Sequence, residues 1–267
     1  MRKFSGVLMP RVKNTAAAAP QAIPTPTEVR LPLATRPGGP QATVIVKVGE
    51  DVKVGQLIGE AAEDGSSPVH SSVSGTVKGI ETMDSLTGEK SATITITSDG
   101  NQTLWEGIAP VRINTADDFL KAVVNSGVVA FGNEGDAGAS TTDYSDAGTY
   151  SLEKYNKLEY LLINCLETEP YVTSSARAVI DDTEYVQEGI KLLKFYLSPR
   201  NLVICVGKNN GEALEKMKQF AASMLSVEPG AASGIKVSAF NHLYPQGQKH
   251  VLVRNVTGRI VPEGKSF

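Results

Sequence analysis

The sequence has few cysteines and histidines, no excess of basic charge and no long apolar run. It has 267 residues but only two cysteines, Cys165 and Cys205, and three histidines. An iron–sulfur cluster normally needs about four thiolates, so these two cysteines hold no cluster. No apolar run approaches the roughly 20 residues that cross a bilayer, and the N-terminus lacks the apolar core of a signal peptide. We therefore predict no metal site, no membrane span and no secretion signal.

The balance of charged and apolar residues is that of an ordinary globular protein. The formal net charge is −3, with 41% hydrophobic and 21% charged residues. A mildly acidic chain has no electrostatic footprint for nucleic acid, so we expect no nucleic-acid partner. Both cysteines lie in apolar, strand-like runs, which is typical of buried thiols in a reducing compartment. We expect a cytoplasmic protein of one large or two ordinary domains.

The first part of the chain predicts an extended segment followed by a small β module. Residues 11–40 are rich in alanine, proline and threonine, so we expect residues 1–40 to be extended or linker-like. After this segment, β-branched runs such as 43–48 and 93–97 alternate with turns that contain glycine and acids. Several short strands at close spacing are typical of a small barrel or sandwich, which we place at residues 41–105.

The rest of the chain predicts an α/β domain over residues 106–267. Thr115 and Asp118 form a near capping box at the start of a helical pattern. Further apolar periodicity predicts helices over 116–126, 182–195 and 210–225, and strands over 128–131, 158–165, 202–206 and 235–240. This alternation implies βαβ units and a mostly parallel sheet. The predicted fold class is therefore a multidomain α+β protein, with a small β barrel-sandwich hybrid before the α/β domain.

A carrier function is one interpretation of the β module, but the residues argue against it. Residues 46–60 and 68–77 resemble the two halves of a biotinyl- or lipoyl-type barrel-sandwich hybrid. Such a carrier displays a lysine at a hairpin tip, and the tip here, residues 60–67, contains none. We therefore interpret the module as structural or docking. His70 is a lone histidine, which is more typical of a hydrogen-bonded side chain than of a metal ligand.

Longer motifs give a more specific resemblance. Residues 26–33 and 37–40, followed by the barrel motif, are similar in order and spacing to the N-terminal domain of the RnfC-like family, the C subunits of Rnf-type electron-transport complexes. Residues 164–173, 243–249 and 257–262 resemble motifs of the same family, whose α/β domain is related to the flavoprotein subunit of respiratory complex I. The motifs leave open whether the chain belongs to the branch of this family that is associated with proline reductase.

The resemblance implies a cofactor site. In the family a glycine-rich loop cradles the FMN phosphate and NADH, and Gly132 and Gly135 match it. Asn133, Glu134 and Asp136 depart from that loop, and the two acids are unfavourable beside a phosphate. The resemblance implies six further cofactor-binding candidates: Asn164, Glu167, Glu169, Tyr171, Gln246 and Gly247. Of these, Glu167 and Glu169 follow a strand end, where open α/β sheets bind ligands. Without the resemblance, we would interpret Glu167 and Glu169 as solvated acids in a loop after a strand.

The resemblance also implies a function in electron transfer. The family passes electrons between NADH, FMN and iron–sulfur partners, so other electron-transfer proteins or complex subunits are the expected partners. We expect a peripheral position at the inner face of the cell membrane, with no span of its own. The family continues into a region with ferredoxin-like [4Fe–4S] clusters, and we expect this chain to stop before it. The altered glycine loop keeps a second hypothesis open, a non-catalytic scaffold that binds no flavin.

Overall fold

The computed structural model describes residues 6–10, 12–34, 40–61, 66–84, 90–128, 158–167, 169–227 and 234–261. Their contacts divide the chain into two compact units. The β unit spans Gln21–Leu152, and the α/β unit combines Met1–Pro20 with Glu153–Phe267. The predicted domain boundaries at residues 40 and 105 stay predictions. The contacts add one feature that the sequence did not indicate, because the N-terminal residues group with the α/β unit.

The β unit contains two antiparallel sheets, as a barrel-sandwich hybrid requires. Its strands are β1 (Glu28–Pro32), β2 (Thr43–Val44), β3 (Asp51–Val52), β4 (Leu57–Glu60), β5 (Val69–His70), β6 (Gly75–Asp84) and β7 (Lys90–Ser98). One sheet has the order β1-β7-β6-β3 and the other β2-β4-β5. The alternating run at 93–97 directs Ile94 and Ile96 into the core beside Ile58. The predicted β fold is thereby confirmed, and β1 adds an edge strand within the segment predicted to be extended.

One glycine fixes the approach of two strands in this unit. Gly75 begins β6 with a φ of 157° and lies opposite Ser98 of β7. A Cβ at this position would collide with the backbone carbonyl oxygen of Thr97. Only glycine fits so close an approach without moving the strands apart.

The first helix, α1 (Ala116–Asn125), begins where the capping pattern predicts. The Thr115 hydroxyl accepts a hydrogen bond from the Asp118 amide, and the Asp118 carboxylate accepts one from the Thr115 amide. Both bonds satisfy amides that a helix leaves unpaired at its start. Of the strand predicted at 128–131, only Val128 is described, and it is exposed and outside any strand.

The α/β unit is a parallel three-stranded sheet with helices. Its strands β8 (Tyr160–Cys165), β9 (Asn201–Gly207) and β10 (Gly234–Phe240) have the order β10-β9-β8. Its helices are α2 (Ser174–Asp181), α3 (Thr183–Leu197), α4 (Gly211–Val227) and α5 (Lys249–Thr257). The predicted strands at 158–165, 202–206 and 235–240 and the helices now called α3 and α4 are confirmed within a few residues. The short helices α2 and α5 were not predicted; in neither does the N-cap residue make a side-chain capping bond.

The core of this unit surrounds the central strand. Residues Leu202–Gly207 of β9 are all buried, as expected for a parallel strand covered on both faces. Met217 and Phe220 of α4 pack against this strand. Burial raises the pKa of the Cys165 thiol to about 11 and that of Cys205 to about 12, so both thiols stay protonated at neutral pH. In the described part of the chain no helix is long and apolar enough to span a bilayer.

Candidate functional site

The candidate site lies at one edge of the α/β sheet. In the parallel register Cys165 of β8 lies opposite Val206 of β9, and Gly207 lies opposite Phe240 of β10. The three strands therefore end at the same edge, and the segments that follow them start there. Ligands of open α/β sheets bind at such an edge. The site comprises the segment after β8, called the β8 loop (166–167 and 169–173), and the segments 208–210 and 241–248.

Asn164 joins two of these segments. Its side-chain amide nitrogen donates a hydrogen bond to the carbonyl oxygen of Gly247 at 2.9 Å. Its side-chain oxygen accepts one from the Leu166 amide at 3.2 Å. Both ends of the side chain are therefore used within the protein. The structure brings the predicted residues Asn164 and Gly247 together, and the contact fixes the segment after β10 against the end of β8.

Glu167 is buried and hydrogen-bonded rather than solvated. One carboxylate oxygen accepts a hydrogen bond from the Ala176 amide in the first turn of α2 at 2.8 Å. The residue at the helix N-cap, Thr173, makes no side-chain capping bond. Glu167 therefore supplies the cap of α2, where a negative charge is favourable. Its other carboxylate oxygen lies 3.8 Å from the ammonium nitrogen of Lys13.

Lys13 is a site residue that the sequence reasoning missed. Its side chain is 5% exposed and that of Glu167 is 2% exposed, so the two charges form a buried pair. The Lys13 ammonium also donates hydrogen bonds to the backbone carbonyl oxygens of Glu169, at 2.9 Å, and Val172. Because Lys13 and Glu169 are 156 residues apart, no local pattern could have indicated this contact.

Two further contacts hold the β8 loop to the N-terminal segment. The Tyr171 amide donates to the carbonyl oxygen of Val12 at 2.9 Å. The hydroxyls of Thr15 and Thr173 share a hydrogen bond of 3.0 Å. Tyr171 has a φ of 67°, a left-handed conformation that is unusual for an aromatic residue. Its side chain is nevertheless 69% exposed, so the loop displays an aromatic ring at its surface.

Gln246 provides a buried donor without a partner. The residue is 5% exposed, and its side-chain nitrogen has no hydrogen-bond acceptor among the described residues. Its backbone amide is satisfied by the carbonyl oxygen of Leu243 at 2.8 Å. A buried polar group normally has a partner, so an orphaned amide nitrogen in a candidate site points to a bound group or water. Gln246 directly precedes Gly247, which Asn164 holds.

A cavity of about 170 Å³ lies between the β8 loop and the start of α4. Its lining includes Lys13, Glu167, Thr173, Asn210, Gly211 and Glu212. Among the described residues that line it, Lys13 is the only cation; its hydrogen bonds go to two backbone carbonyls, and it lies 3.8 Å from the Glu167 carboxylate. The described lining is therefore polar, with this one cation beside the acids Glu167 and Glu212.

The predicted cofactor residues have different positions. Asn164 and Gly247 touch, Glu169 and Tyr171 lie on the exposed loop, and Glu167 and Gln246 are buried. Gly132 and Gly135 lie outside the described residues. A cofactor-binding role for these residues stays a prediction. Within the described residues no group of three or more histidine, cysteine or acidic side chains is placed to hold a metal ion.

Two family models match the chain in succession. The RnfC barrel sandwich hybrid domain matches residues 2–101, and the Nuo51 FMN-binding domain matches residues 138–267. The second match begins directly after the altered glycine loop. Both resemblances inferred from the sequence are therefore confirmed, including the relation of the α/β part to a flavoprotein subunit.

Curated relatives resemble nearly the whole chain. The C subunit of the Na(+)-translocating ferredoxin:NAD(+) oxidoreductase complex of Acetobacterium woodii is 30% identical over 263 residues, which cover 97% of this chain and 56% of that relative. The proton-translocating counterpart from Clostridium ljungdahlii is 27% identical, over 99% of this chain and 55% of the relative. The C subunit of the ion-translocating oxidoreductase complex of Pectobacterium carotovorum is 28% identical, over 97% of this chain and 33% of that relative. The chain thus spans between a third and just over half of the length of these relatives.

Proposed function

This chain belongs to the RnfC-like family, and we propose that it is an electron-transfer subunit that binds FMN and NADH at the carboxyl edge of its α/β sheet. The relatives are named as subunits of ferredoxin:NAD(+) or ion-translocating oxidoreductase complexes. By this proposal the chain passes electrons between a nicotinamide nucleotide, a flavin and iron–sulfur partners. Its chemistry would come from the bound cofactors, and its own residues would bind and orient them.

The orphaned amide nitrogen of Gln246 is the observation that carries this proposal. It is a hydrogen-bond donor, buried and without an acceptor among the described residues. Flavin and nicotinamide rings both carry carbonyl oxygens that accept such a bond. The exposed ring of Tyr171, on the neighbouring β8 loop, offers an apolar face for a flat heterocycle. These two groups would recognise the ring of a cofactor rather than its phosphate.

The phosphate would be held less well than in a protein with an intact glycine loop. Glu134 and Asp136 place two negative charges in the segment that the resemblance assigns to the phosphate. These charges repel a phosphate dianion and so weaken its binding. The repulsion is stronger where water is excluded, because the local dielectric constant is lower there. We therefore propose that the chain alone binds FMN weakly and that ring contacts supply most of the affinity.

Titration of the purified chain with FMN and with NADH tests the proposal. FMN binding is followed by quenching of flavin fluorescence, and NADH binding by calorimetry. Gln246→Leu keeps the side-chain volume and removes the donor, so it should weaken FMN binding by about tenfold, the worth of one hydrogen bond. Gln219→Leu, at an exposed position of α4, is the matched control and should change nothing. Wild-type protein that binds neither FMN nor NADH would refute the proposal.

A non-catalytic scaffold is the second candidate function. It is favoured by the two acids in the glycine loop and by the burial of Glu167 beside Lys13, which closes one side of the cavity. A scaffold would bind the other subunits of its complex without flavin. It predicts that Glu134→Ala together with Asp136→Phe leaves partner binding intact and brings no flavin affinity. Recovery of flavin affinity in that double variant would favour the electron-transfer proposal instead.

We also propose a peripheral place in a membrane-associated complex. The named relatives are complex subunits, so the partners would be other subunits and their iron–sulfur groups. Co-expression with the remaining subunits, followed by membrane isolation and a carbonate wash, tests this place. A peripheral subunit sediments with membranes that contain the complex and is released by the wash. Sedimentation that persists in membranes lacking the complex would contradict it.

A further inference from the structure

We propose that residues 12–15, called here the N-terminal strap, position the β8 loop of the ligand site. Lys13 is its positioning residue, and Glu167 is the buried counter-ion of Lys13 rather than a group that meets the ligand. The strap holds the β8 loop in the shape that presents Glu169 and Tyr171. The nature of the ligand rests on the proposed function, but the role of the strap is observable in ligand-free protein.

The contacts of the strap are spread along the whole β8 loop. Lys13 reaches the carboxylate of Glu167 and the carbonyl oxygens of Glu169 and Val172. The Val12 carbonyl accepts from the Tyr171 amide, and Thr15 bonds to Thr173. Most described loop residues are therefore bound to a segment that precedes them by more than 150 residues. A loop that lost these contacts would keep Glu167 at α2 but would lose these bonds at Glu169, Tyr171, Val172 and Thr173.

Hydrogen-bond capacity decides which residues remain available to a ligand. Of the three donors of the Lys13 ammonium, two bond to the carbonyl oxygens of Glu169 and Val172, and the ammonium lies 3.8 Å from the Glu167 carboxylate. Glu167 uses one oxygen for the Ala176 amide and directs the other at Lys13. The two charges compensate each other in a buried environment, where either alone would be costly. Glu167 and Lys13 are thus both committed to the protein, which leaves the outer face of the loop for the ligand.

The strap stabilises the left-handed backbone conformation of Tyr171. A left-handed conformation of an aromatic residue costs free energy and persists only where the surroundings impose it. Here the Tyr171 amide is bound by Val12, and the carbonyl of the next residue, Val172, is bound by Lys13. The backbone that carries the exposed ring is therefore held in place before any ligand arrives. A loop that is already ordered does not lose conformational entropy when the ligand binds, so binding is more favourable.

A double-mutant cycle tests the pair without any ligand. Lys13→Met and Glu167→Gln should each lower the urea midpoint of the α/β unit. The double variant should lose clearly less than the sum, because neither buried charge is left alone. Lys13→Arg should recover part of the loss. Lys236→Met, at an exposed position of β10, is the control and should leave the midpoint unchanged. Additive losses would overturn the pairing of Lys13 with Glu167.

Hydrogen exchange and ligand titration test the positioning role. In ligand-free Lys13→Met protein, the Tyr171 amide should exchange about tenfold faster or more, whereas amides of β10 should not change. FMN affinity should fall by a similar factor. Unchanged exchange at Tyr171 would overturn the proposal, and so would tighter FMN binding, which would mean that the strap blocks the site. If wild-type protein binds no cofactor, the proposed function fails, and the cycle and the exchange rates still decide the role of the strap.

Discussion

Both units have ion pairs at their surface, but among the described residues only the α/β unit has a buried one. In the β unit the ion pairs lie at the surface: Lys78 and Glu28 are 61% and 28% exposed at 2.6 Å. In the α/β unit Lys13 and Glu167 form a buried pair across a longer distance, 3.8 Å. We expect the shorter contact to be the less costly one to break, because water screens it and both side chains can move into solvent. Distance alone therefore does not rank these pairs, whereas burial and the number of remaining hydrogen bonds do.

The largest expected effect is the loss of the buried pair. Lys13→Met leaves the Glu167 carboxylate buried with one amide partner, and such changes cost about 3–5 kcal/mol. Urea unfolding followed by far-UV circular dichroism measures it, since four of the five described helices belong to the α/β unit. A loss below about 1 kcal/mol would place this pair with the surface pairs and remove the contrast between the units.

The cores of the two units should, by contrast, respond alike. Ile94 of the β unit and Met217 of the α/β unit are both fully buried. Replacing either by alanine removes buried methylenes and leaves a cavity, at a cost of about 2–5 kcal/mol. Fluorescence of the single tryptophan, Trp105, follows the β unit, and circular dichroism follows the α/β unit. A much smaller loss for one of them would show that its core repacks.

A smaller effect is expected at the start of α1. Thr115→Ala removes the cap of this helix and should cost about 1 kcal/mol. The hydrogen bond with Thr115, followed by that from the Asn114 amide, lowers the pKa of the Asp118 carboxyl. The stabilisation is therefore complete above the unfolded-state pKa and is lost as the pH falls through the lower folded-state pKa. Unfolding at neutral and at acid pH should show the difference between wild type and variant narrowing in acid without vanishing, because the bond from the Asp118 amide to the Thr115 hydroxyl does not titrate.

The smallest effect is expected at the exposed pair. Lys78→Met should change the free energy of unfolding by at most about 0.5 kcal/mol, and added salt should reduce even that. Titration with urea at low and high salt, followed by Trp105 fluorescence, measures it. A cost comparable to that of Lys13→Met would mean that charge pairs stabilise the two units equally, and the contrast between them would be lost.

Local patterns predicted most of the fold, and contacts between distant residues account for the rest. The capping box at Thr115 and Asp118 and the apolar run of β9 lie within a few residues, and both were predicted correctly. Helix α2 was missed because its cap comes from Glu167 and not from the adjacent Thr173. Lys13 was missed because every partner that defines its role lies in a distant part of the sequence.

The motif after β8 shows the same limit for the candidate site. The sequence identified Glu167 and Glu169 as two equivalent acids beside a strand end. In the fold they differ, since Glu167 is buried and bound by Lys13 and Glu169 is exposed. Alternation after a strand does not decide this, because the β8 loop is shaped by the segment that packs on it. Only the folded structure separates the buried acid from the exposed one.

The strap also has a consequence for how the protein is made. Lys13 pairs with Glu167, and Val7, a few residues before the strap, pairs with Tyr244, so residues translated early wait for partners more than 150 positions later. The whole of the β unit is translated in between. The nascent α/β unit must therefore keep Lys13 without its counter-ion until residue 167 has emerged, and Val7 without its bridge partner until residue 244 has emerged. A circular permutant that places residues 6–20 after residue 261 would shorten both intervals and should fold faster after synthesis.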